Sequence, residues 1–311
     1  MLASARMADR MFPASERAPL ECDVDVFNGC KVLPSGLDHA PNDFSKLLSD
    51  SVSLWKAEGR TSVWLFIPND KADLIPIALK QGFDYHHAKP GNAALIKWLP
   101  EDTKSMIPLA PFTRVGVGAV IFNSRDELLC VQECNGPLRG LGIWKIPTGS
   151  ADPGENIGRA AEREVWEETG VQTAFHKVLL IRHSLYPSPT STCDLYFVCA
   201  LLLKSDEDKE LVVDETELDA AKWVSYKDYL AQPCWGDTST MARVYREEIH
   251  PTIGAYRSGE FQGLTRVVGD ATDAKYGNHC VYKPCAAPVR PITRLASLFR
   301  PLSALRRLVR L

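Results

Sequence analysis

GSADPGENIGRAAEREVWEETGV, residues Gly149 to Val171, decides how the rest of this 311-residue chain is read. Its polar residues are spaced as only a folded segment would use them. Gly149 is followed after five residues by Glu155, then after seven more by Arg163-Glu164, Val165, Trp166, Glu167-Glu168, Thr169, Gly170 and Val171. Asn156 is a candidate N-cap, and Gly170 stands where helices commonly end in a left-handed residue, which predicts roughly fourteen helical residues between them. Asp152 with Glu155 three positions on offers an earlier start as a capping box, and the sequence leaves both starts open. From either start, Glu164, Glu167 and Glu168 fall at i, i+3 and i+4 and share one face. Ile157, Ala160, Ala161 and Val165 make the apolar stripe that would seat the helix on a core.

Three carboxylates on one helical face repel one another by a few tenths of a kcal/mol per pair. A hard divalent cation turns that penalty into binding, because Mg²⁺ takes oxygen ligands, keeps several waters and bridges to substrate phosphates. Arg163 can fork onto a neighbouring carboxylate and orient it. For EREVWEE alone, a solvated acidic face is an equal alternative. The full spacing separates the two readings: Gly-x5-Glu-x7-Arg-Glu-U-x-Glu-Glu-x-Gly-U, with U apolar, is matched at every position. Seven identities at residue frequencies near ~6% coincide by chance on the order of once in a billion starting positions.

The segment therefore resembles the Nudix box, and the chain is similar to Nudix hydrolases. The resemblance implies an α/β fold, the Nudix α/β/α sandwich around a mixed sheet. It implies hydrolysis of a nucleoside diphosphate linked to another moiety, X, within the pyrophosphate and with Mg²⁺ or Mn²⁺. It assigns Glu164, Glu167 and Glu168 as metal ligands and catalytic carboxylates, with Arg163 as their orienting partner. Glu155 would support the metal site, and Gly149 would supply a tight turn and a backbone carbonyl. The physical chemistry agrees, since bound metal neutralises phosphate charge and lowers the pKa of its water. Glu168 or a loop residue is the candidate proton acceptor.

Composition sets wider bounds. With 45% hydrophobic and 24% charged residues, the chain can bury a sizeable core and is long enough for two domains. The longest apolar run, Leu195 to Leu203, is half of what a bilayer span needs. Nine cysteines without a CxxC pair favour a reducing interior, and a cytoplasmic location is expected. The net charge is −3, but the residues after Asp273 hold eight Lys/Arg and no Asp/Glu; removing those eight leaves −11 for the first 273. An acidic body carrying a basic tail gives no strong nucleic-acid signal.

Residues 1–19 read as a disordered leader, with organelle import as the alternative. Residues 20–100 read β-α-β-α-β: strands over Val24 to Phe27, Ser62 to Ile67 and Ala93 to Trp98, helices over Phe44 to Glu58 and Lys71 to Gln81. Gln81-Gly82-Phe83, His86-His87-Ala88 and Trp98-Leu99-Pro100 resemble the domain that precedes the Nudix fold in a eukaryotic subgroup. That subgroup includes plant ADP-ribose and NADH pyrophosphatases and the animal protein encoded antisense to a fibroblast growth factor. The resemblance implies a small α/β domain, half of an acetyltransferase-like fold, that positions substrate or forms a homodimer. His86 and His87, adjacent on an extended segment, are expected on opposite faces as structural histidines.

Residues 101–112, with three prolines from Pro100 to Pro111, read as a linker into a Nudix domain over 113–262. Arg114 to Phe122 and Glu127 to Glu133 are expected to form a β-hairpin about Asn123-Ser124-Arg125-Asp126. Gly116 and Gly118 lie inside the first of these strands and imply close backbone packing rather than a phosphate loop. Lys145, just before the box, and Arg182, near the turn-rich Tyr186 to Thr192, are candidate phosphate or substrate contacts. Further strands are expected over His176 to Ser184 and Asp194 to Leu203. Glu217 is the candidate loop base among Asp214, Glu215, Glu217 and Asp219, against the alternative of a solvated acidic loop. A helix over Thr238 to Ile249 is expected to stop before Pro251. Residues 263–311 read as an extension whose tail sets leucines among arginines; a solvated tail is the first reading, and a basic amphipathic helix that lies on an anionic membrane surface or grips an acidic partner is the alternative.

By subgroup resemblance, ADP-ribose or NADH is the expected substrate, with coenzyme A or capped RNA as alternatives. A non-catalytic nucleotide-metabolite sensor is the competing class. Such a protein would be expected to have lost a box carboxylate, and every one is present.

Overall fold

The computed structural model describes residues 19–136, 138–186, 192–204, 210–268 and 280–285. Residues 1–18 of the leader and the tail from residue 286 lie outside them, as does the loop 187–191. The chain divides into two compact units, Met1–Pro111 and Phe112–Leu311.

The first unit contains β1 (Cys22–Val24), β2 (Cys30–Val32), α1 (Pro41–Ala57), β3 (Ser62–Pro68), α2 (Ile75–Lys80), β4 (Asp84–Lys89) and β5 (Asn92–Trp98). The strands form one sheet in the order β1-β2-β3-β5-β4, with β2 and β3 parallel. Strand alternation buries Val63, Leu65 and Ile67 of β3 beneath Phe44, Leu48 and Trp55 of α1 and Ala78 of α2. Trp64 and Phe66 consequently point to the opposite face.

Several local expectations change here. The first strand stops at Val24, because the Asp25 carboxylate accepts from the N–H groups of Phe27 and Gly29 and closes a turn. β2 and β4 add two strands to the three that the sequence pattern predicts. The helix expected over Lys71 to Gln81 is a 3₁₀ segment, Asn69–Leu74, followed by α2 with Pro76 in its first turn. His86 and His87 do not alternate across the sheet. A bulge between Tyr85 and His87 in the pairing with β5 turns both rings together, and their Nδ1 atoms are 2.7 Å apart.

The second unit contains β6 (Thr113–Val120), β7 (Glu127–Glu133), β8 (Thr148–Ser150), α3 (Ile157–Thr169), β9 (Thr173–Tyr186), β10 (Thr192–Leu203), β11 (Leu218–Ser225), α4 (Tyr226–Leu230), α5 (Thr240–Val244), α6 (His250–Arg257), β12 (Leu264–Val268) and β13 (Val281–Pro284). Six strands form a mixed sheet in the order β13-β12-β9-β10-β6-β8, with β10 and β6 parallel; β11 and β7 form a separate pair. One core joins Ile157, Ala160, Ala161 and Val165 of α3 to Val117, Ala119 and Cys199. A second joins Tyr226 and Tyr229 of α4 and Ile253 of α6 to Val120, Val198 and Ala200. Helices thus cover both faces, and the architecture is the α/β/α sandwich.

The expected hairpin between β6 and β7 survives only at its closed end, where Phe122 bridges Leu128. A strand has two edges, and those of β6 are taken by β10 and β8. β7 therefore pairs with β11 instead. Gly118 leaves room for a side chain of the adjoining strand β10: a Cβ there would lie 1.9 Å from the Tyr196 hydroxyl. The helix expected to stop before Pro251 runs on as α6 to Arg257, since a π turn, Tyr245–Ile249, interrupts the α ladder just ahead of the proline. β12 and β13, within the stretch read as an extension, belong to the six-stranded sheet.

Candidate active site

The box helix is built as its end signals dictate. Asn156 Oδ1 accepts from the Arg159 N–H at 3.0 Å, and Gly170 closes α3 in the left-handed region at φ 68°. The competing capping box forms only in part and ahead of the helix, with the Asp152 backbone carbonyl in the place of its side chain. The Asp152 N–H donates to Glu155 Oε2 at 3.0 Å, and the Glu155 N–H donates to the Asp152 carbonyl at 2.9 Å. That exchange fixes Glu155 in the approach loop, facing Arg163.

Arg163 is the hub. Its Nε and Nη2 donate to the two oxygens of Glu155 at 3.1 and 2.9 Å, a bidentate fork. Nη1 donates to Glu164 Oε1 at 3.0 Å and to Glu167 Oε2 at 2.9 Å, and Nη2 also donates to the Ser150 carbonyl at 2.9 Å. The guanidinium holds the Glu155 carboxyl below the ordinary range, and its own pKa is raised by those carboxylates, Glu155 first.

The three glutamates of the shared face have different surroundings. Glu167 is half-exposed, with Arg163 as its ion-pair partner. Glu164 is half-buried and accepts from the Ser150 N–H at 3.1 Å, and its pKa is raised by burial. Glu168 is 4% exposed and its Oε2 is buried with no hydrogen-bond partner. Desolvation pushes its pKa up to about 8, with the charges of Glu164 and Glu217 adding to the rise and that of Lys145 opposing it.

Gly149 is explained by space. A Cβ there would sit 1.9 Å from Glu164 Cδ, so the glutamate carboxylate occupies the place a side chain would fill. Glu217 is exposed in the turn just before β11, close enough for its charge to raise the pKa of Glu168. Lys145 is buried rather than solvated, donating to Thr148 Oγ1 at 2.5 Å and paired with Glu133 Oε1 at 2.7 Å. Arg182 lies 3.4 Å from Asp194 Oδ2 and 4.5 Å over the Tyr196 ring. Among the described residues it makes no hydrogen bond or ion pair with a box glutamate.

Two contributors escaped the sequence reading. Ser150 works through its backbone, donating to Glu164 and accepting from Arg163. Its only signal is its position after Gly149. Glu133, which anchors Lys145, carries no local signal, since the pair is made across separate elements.

Among the described residues, no three Asp, Glu, His or Cys side chains close on one point as a ready metal cage. The donor set nonetheless suits a hard cation in an open, water-rich site. It consists of oxygens, and the orphaned Glu168 Oε2 is a buried acceptor awaiting a positive partner.

A family model described as the Nudix hydrolase domain matches residues 20–99, and one described as the NUDIX domain matches residues 112–247. Nudix hydrolase 8 of Arabidopsis thaliana is 38% identical over 218 residues, covering 70% of this chain and 58% of that protein. Nudix hydrolase 2 of Arabidopsis thaliana is 36% identical over 233 residues, covering 75% and 80%. Nucleoside diphosphate-linked moiety X motif 6 of Homo sapiens is 38% identical over 188 residues, covering 58% of each chain. The chain thus spans little more than half the length of two of these relatives, and a larger share of the third. Taken with the intact Arg163-centred box, these matches show that the chain belongs to the Nudix hydrolases, a family acting on nucleoside diphosphate-linked substrates, generally with divalent metal ions.

Proposed function

We propose that this protein hydrolyses the pyrophosphate of a nucleoside diphosphate linked to X, with ADP-ribose or NADH as substrate and AMP as one product. The observation that carries the reading is the division of labour on α3: Arg163 cross-links Glu155, Glu164 and Glu167, while Glu168 is buried with an unsatisfied oxygen. Glu164, Glu167, Glu168 and the Gly149 carbonyl are the groups that would hold Mg²⁺ or Mn²⁺. The metal would supply charge neutralisation at the phosphates and an acidified water. Arg163 keeps the half-exposed carboxylates oriented towards one side of the helix. Lys145 lowers the proton affinity of Glu168, and Glu217 raises it. Glu168, or Glu217 at its side, accepts the proton of the attacking water.

Resemblance of the N-terminal unit to that of plant ADP-ribose and NADH pyrophosphatases supports the choice of substrate. Coenzyme A and capped RNA share the same anhydride and form the comparison set. All nine cysteines are free, which suits a reducing, cytoplasmic setting. A homodimer through the N-terminal unit and an anionic surface for the tail complete the proposal. Analytical ultracentrifugation, and liposome sedimentation with and without residues 286–311, test those two points.

The main test is a substrate panel with Mg²⁺ or Mn²⁺, following AMP by chromatography, with Glu167→Gln as control. Turnover of ADP-ribose or NADH above the other substrates, falling by about 10²-fold or more in the variant, is the expected result. Tight, metal-dependent ADP-ribose binding without any product would instead make the protein a sensor.

A further inference from the structure

The helix-free face of the N-terminal sheet carries a cleft of about 630 Å³ that the hydrolytic reading leaves unused. Its floor is aromatic. Trp64 and Phe66, two apart on β3, hold their rings parallel to within 5°, with centroids 6.0 Å apart. Phe66 stays 38% exposed. Trp98 of β5 and the His86 ring, set edge-on to Trp64 at 4.9 Å, form the sides. The remaining wall is the segment before Pro111, and the cleft's own side chains tie it down. His86 Nε2 meets the Pro108 carbonyl at 2.9 Å, and Trp98 Nε1 donates to the Thr103 carbonyl at 3.3 Å.

The polar groups are few. A carbonyl can only accept, so His86 Nε2 carries the proton, and its Nδ1 accepts from His87 Nδ1–H across 2.7 Å. His87 Nε2 is then left as an acceptor. Lys31 stands opposite Trp64 in the β2–β3 register, and its ammonium makes no ion pair or hydrogen bond among the described residues. The Asp25 carboxylate is already engaged by two backbone N–H groups of its own turn.

A concave volume of this size, mostly aromatic with a small number of placed polar groups, is the form of a small-molecule site rather than of a flat protein interface. Parallel aromatic planes favour stacking by a flat ring, a lone cation favours one negative group, and an imidazole acceptor favours a ring N–H or exocyclic amine. We propose that the N-terminal unit binds a second ligand in this cleft. The ligand is a planar heteroaromatic ring bearing one anionic group, the chemistry of a mononucleotide. The site is independent of the box glutamates.

The test uses the full chain labelled with 5-fluorotryptophan, in EDTA, followed by ¹⁹F NMR. Trp64→Phe and Trp98→Phe assign the two reporter resonances, so AMP bound at the box does not confuse the result. AMP should shift both resonances saturably, while ribose 5-phosphate, which lacks the ring, should shift neither. Adenosine should bind about tenfold more weakly than AMP, and Lys31→Glu should weaken AMP by about the same factor, with an unchanged circular-dichroism melt as its folding control. Still resonances at saturating AMP would overturn the proposal, as would equal shifts with ribose 5-phosphate. Shifts that track protein concentration without nucleotide would also overturn it, giving the face to a second copy of the chain.

Discussion

Glu168→Gln separates what the box does for function from what it does to stability. In the metal-free protein, burial raises the Glu168 pKa from its ordinary 4.5 to about 8. The folded state therefore holds the proton more tightly than the unfolded chain, and stability falls as pH rises from 4.5 towards 8, then levels off. Across 2.5 pH units, from 4.5 to 7, linkage sets a ceiling of about 3 kcal/mol on the stability lost through this one group. Glutamine keeps the shape and cannot ionise, but its amide is buried with incomplete partners, which costs about 1 kcal/mol. The variant should be more stable than the parent by about 2 kcal/mol at pH 7 in EDTA, or roughly 4–8 °C in Tm. At pH 4 that advantage is gone and only the amide cost remains, so the variant should be the less stable of the two by about 1 kcal/mol. Urea unfolding at a series of pH values measures this directly, and the difference between the two proteins cancels titrations that are not coupled to Glu168, such as that of Glu155. Millimolar Mg²⁺ should then stabilise the parent and leave the variant nearly unmoved, because only the parent gains a partner for the buried oxygen. Equal stability of the two proteins at every pH, or equal stabilisation of both by Mg²⁺, refutes the assignment of Glu168 as a strained carboxylate that a cation relieves.

Arg163→Lys replaces a forked guanidinium that reaches Glu155, Glu164, Glu167 and the Ser150 carbonyl. A point charge cannot hold all four, so kcat should fall by about 10–100-fold with a matching loss of Mg²⁺ affinity in a metal titration. Gly149→Ala puts a Cβ where the Glu164 carboxylate sits; turnover should drop by about 10²-fold or more, and added Mg²⁺ should not restore it. Lys145→Met removes the charge that lowers the Glu168 pKa. The acidic limb of the kcat/KM profile should move to higher pH, and an unmoved limb would show that Glu168 does not control the reaction.

The box was legible because every constraint on it is local. One helix, capped by Asn156 and ended by Gly170, carries Arg163 and three of the carboxylates, so spacing alone puts them on one face. The capping pair Asp152–Glu155 was also visible, although it orders the loop before the helix rather than beginning it. Buried Lys145 was not legible. Its environment is made by Glu133, and nothing near Lys145 in the sequence announces that partner. The same holds for Arg182, whose neighbours Asp194 and Tyr196 arrive on the adjoining strand.

The misread strands share a physical cause. Asn123 to Asp126 does turn the chain, as its composition predicts, and Asn123 accepts and donates across the turn to Glu127. Pairing beyond that turn is not a property of β6 and β7 alone. It depends on whether an edge of β6 is free, and β10 arrives from some eighty residues downstream to occupy one edge while β8 takes the other. His86 and His87 repeat the lesson on a smaller scale: alternation is the rule for a regular strand, and the bulge opposite Ala94 suspends it where the cleft needs both rings on one side. Sequence reasoning about an isolated strand assumes a regular ladder, so departures from that ladder are where it fails. Here the bulge lies in the wall of the proposed nucleotide cleft, and the pairing of β6 with β8 seats Gly149 against the box helix. The sites proposed for this chain therefore lie where long-range pairing overrides the local pattern, and the Nudix box is the exception because its geometry is carried within one helix.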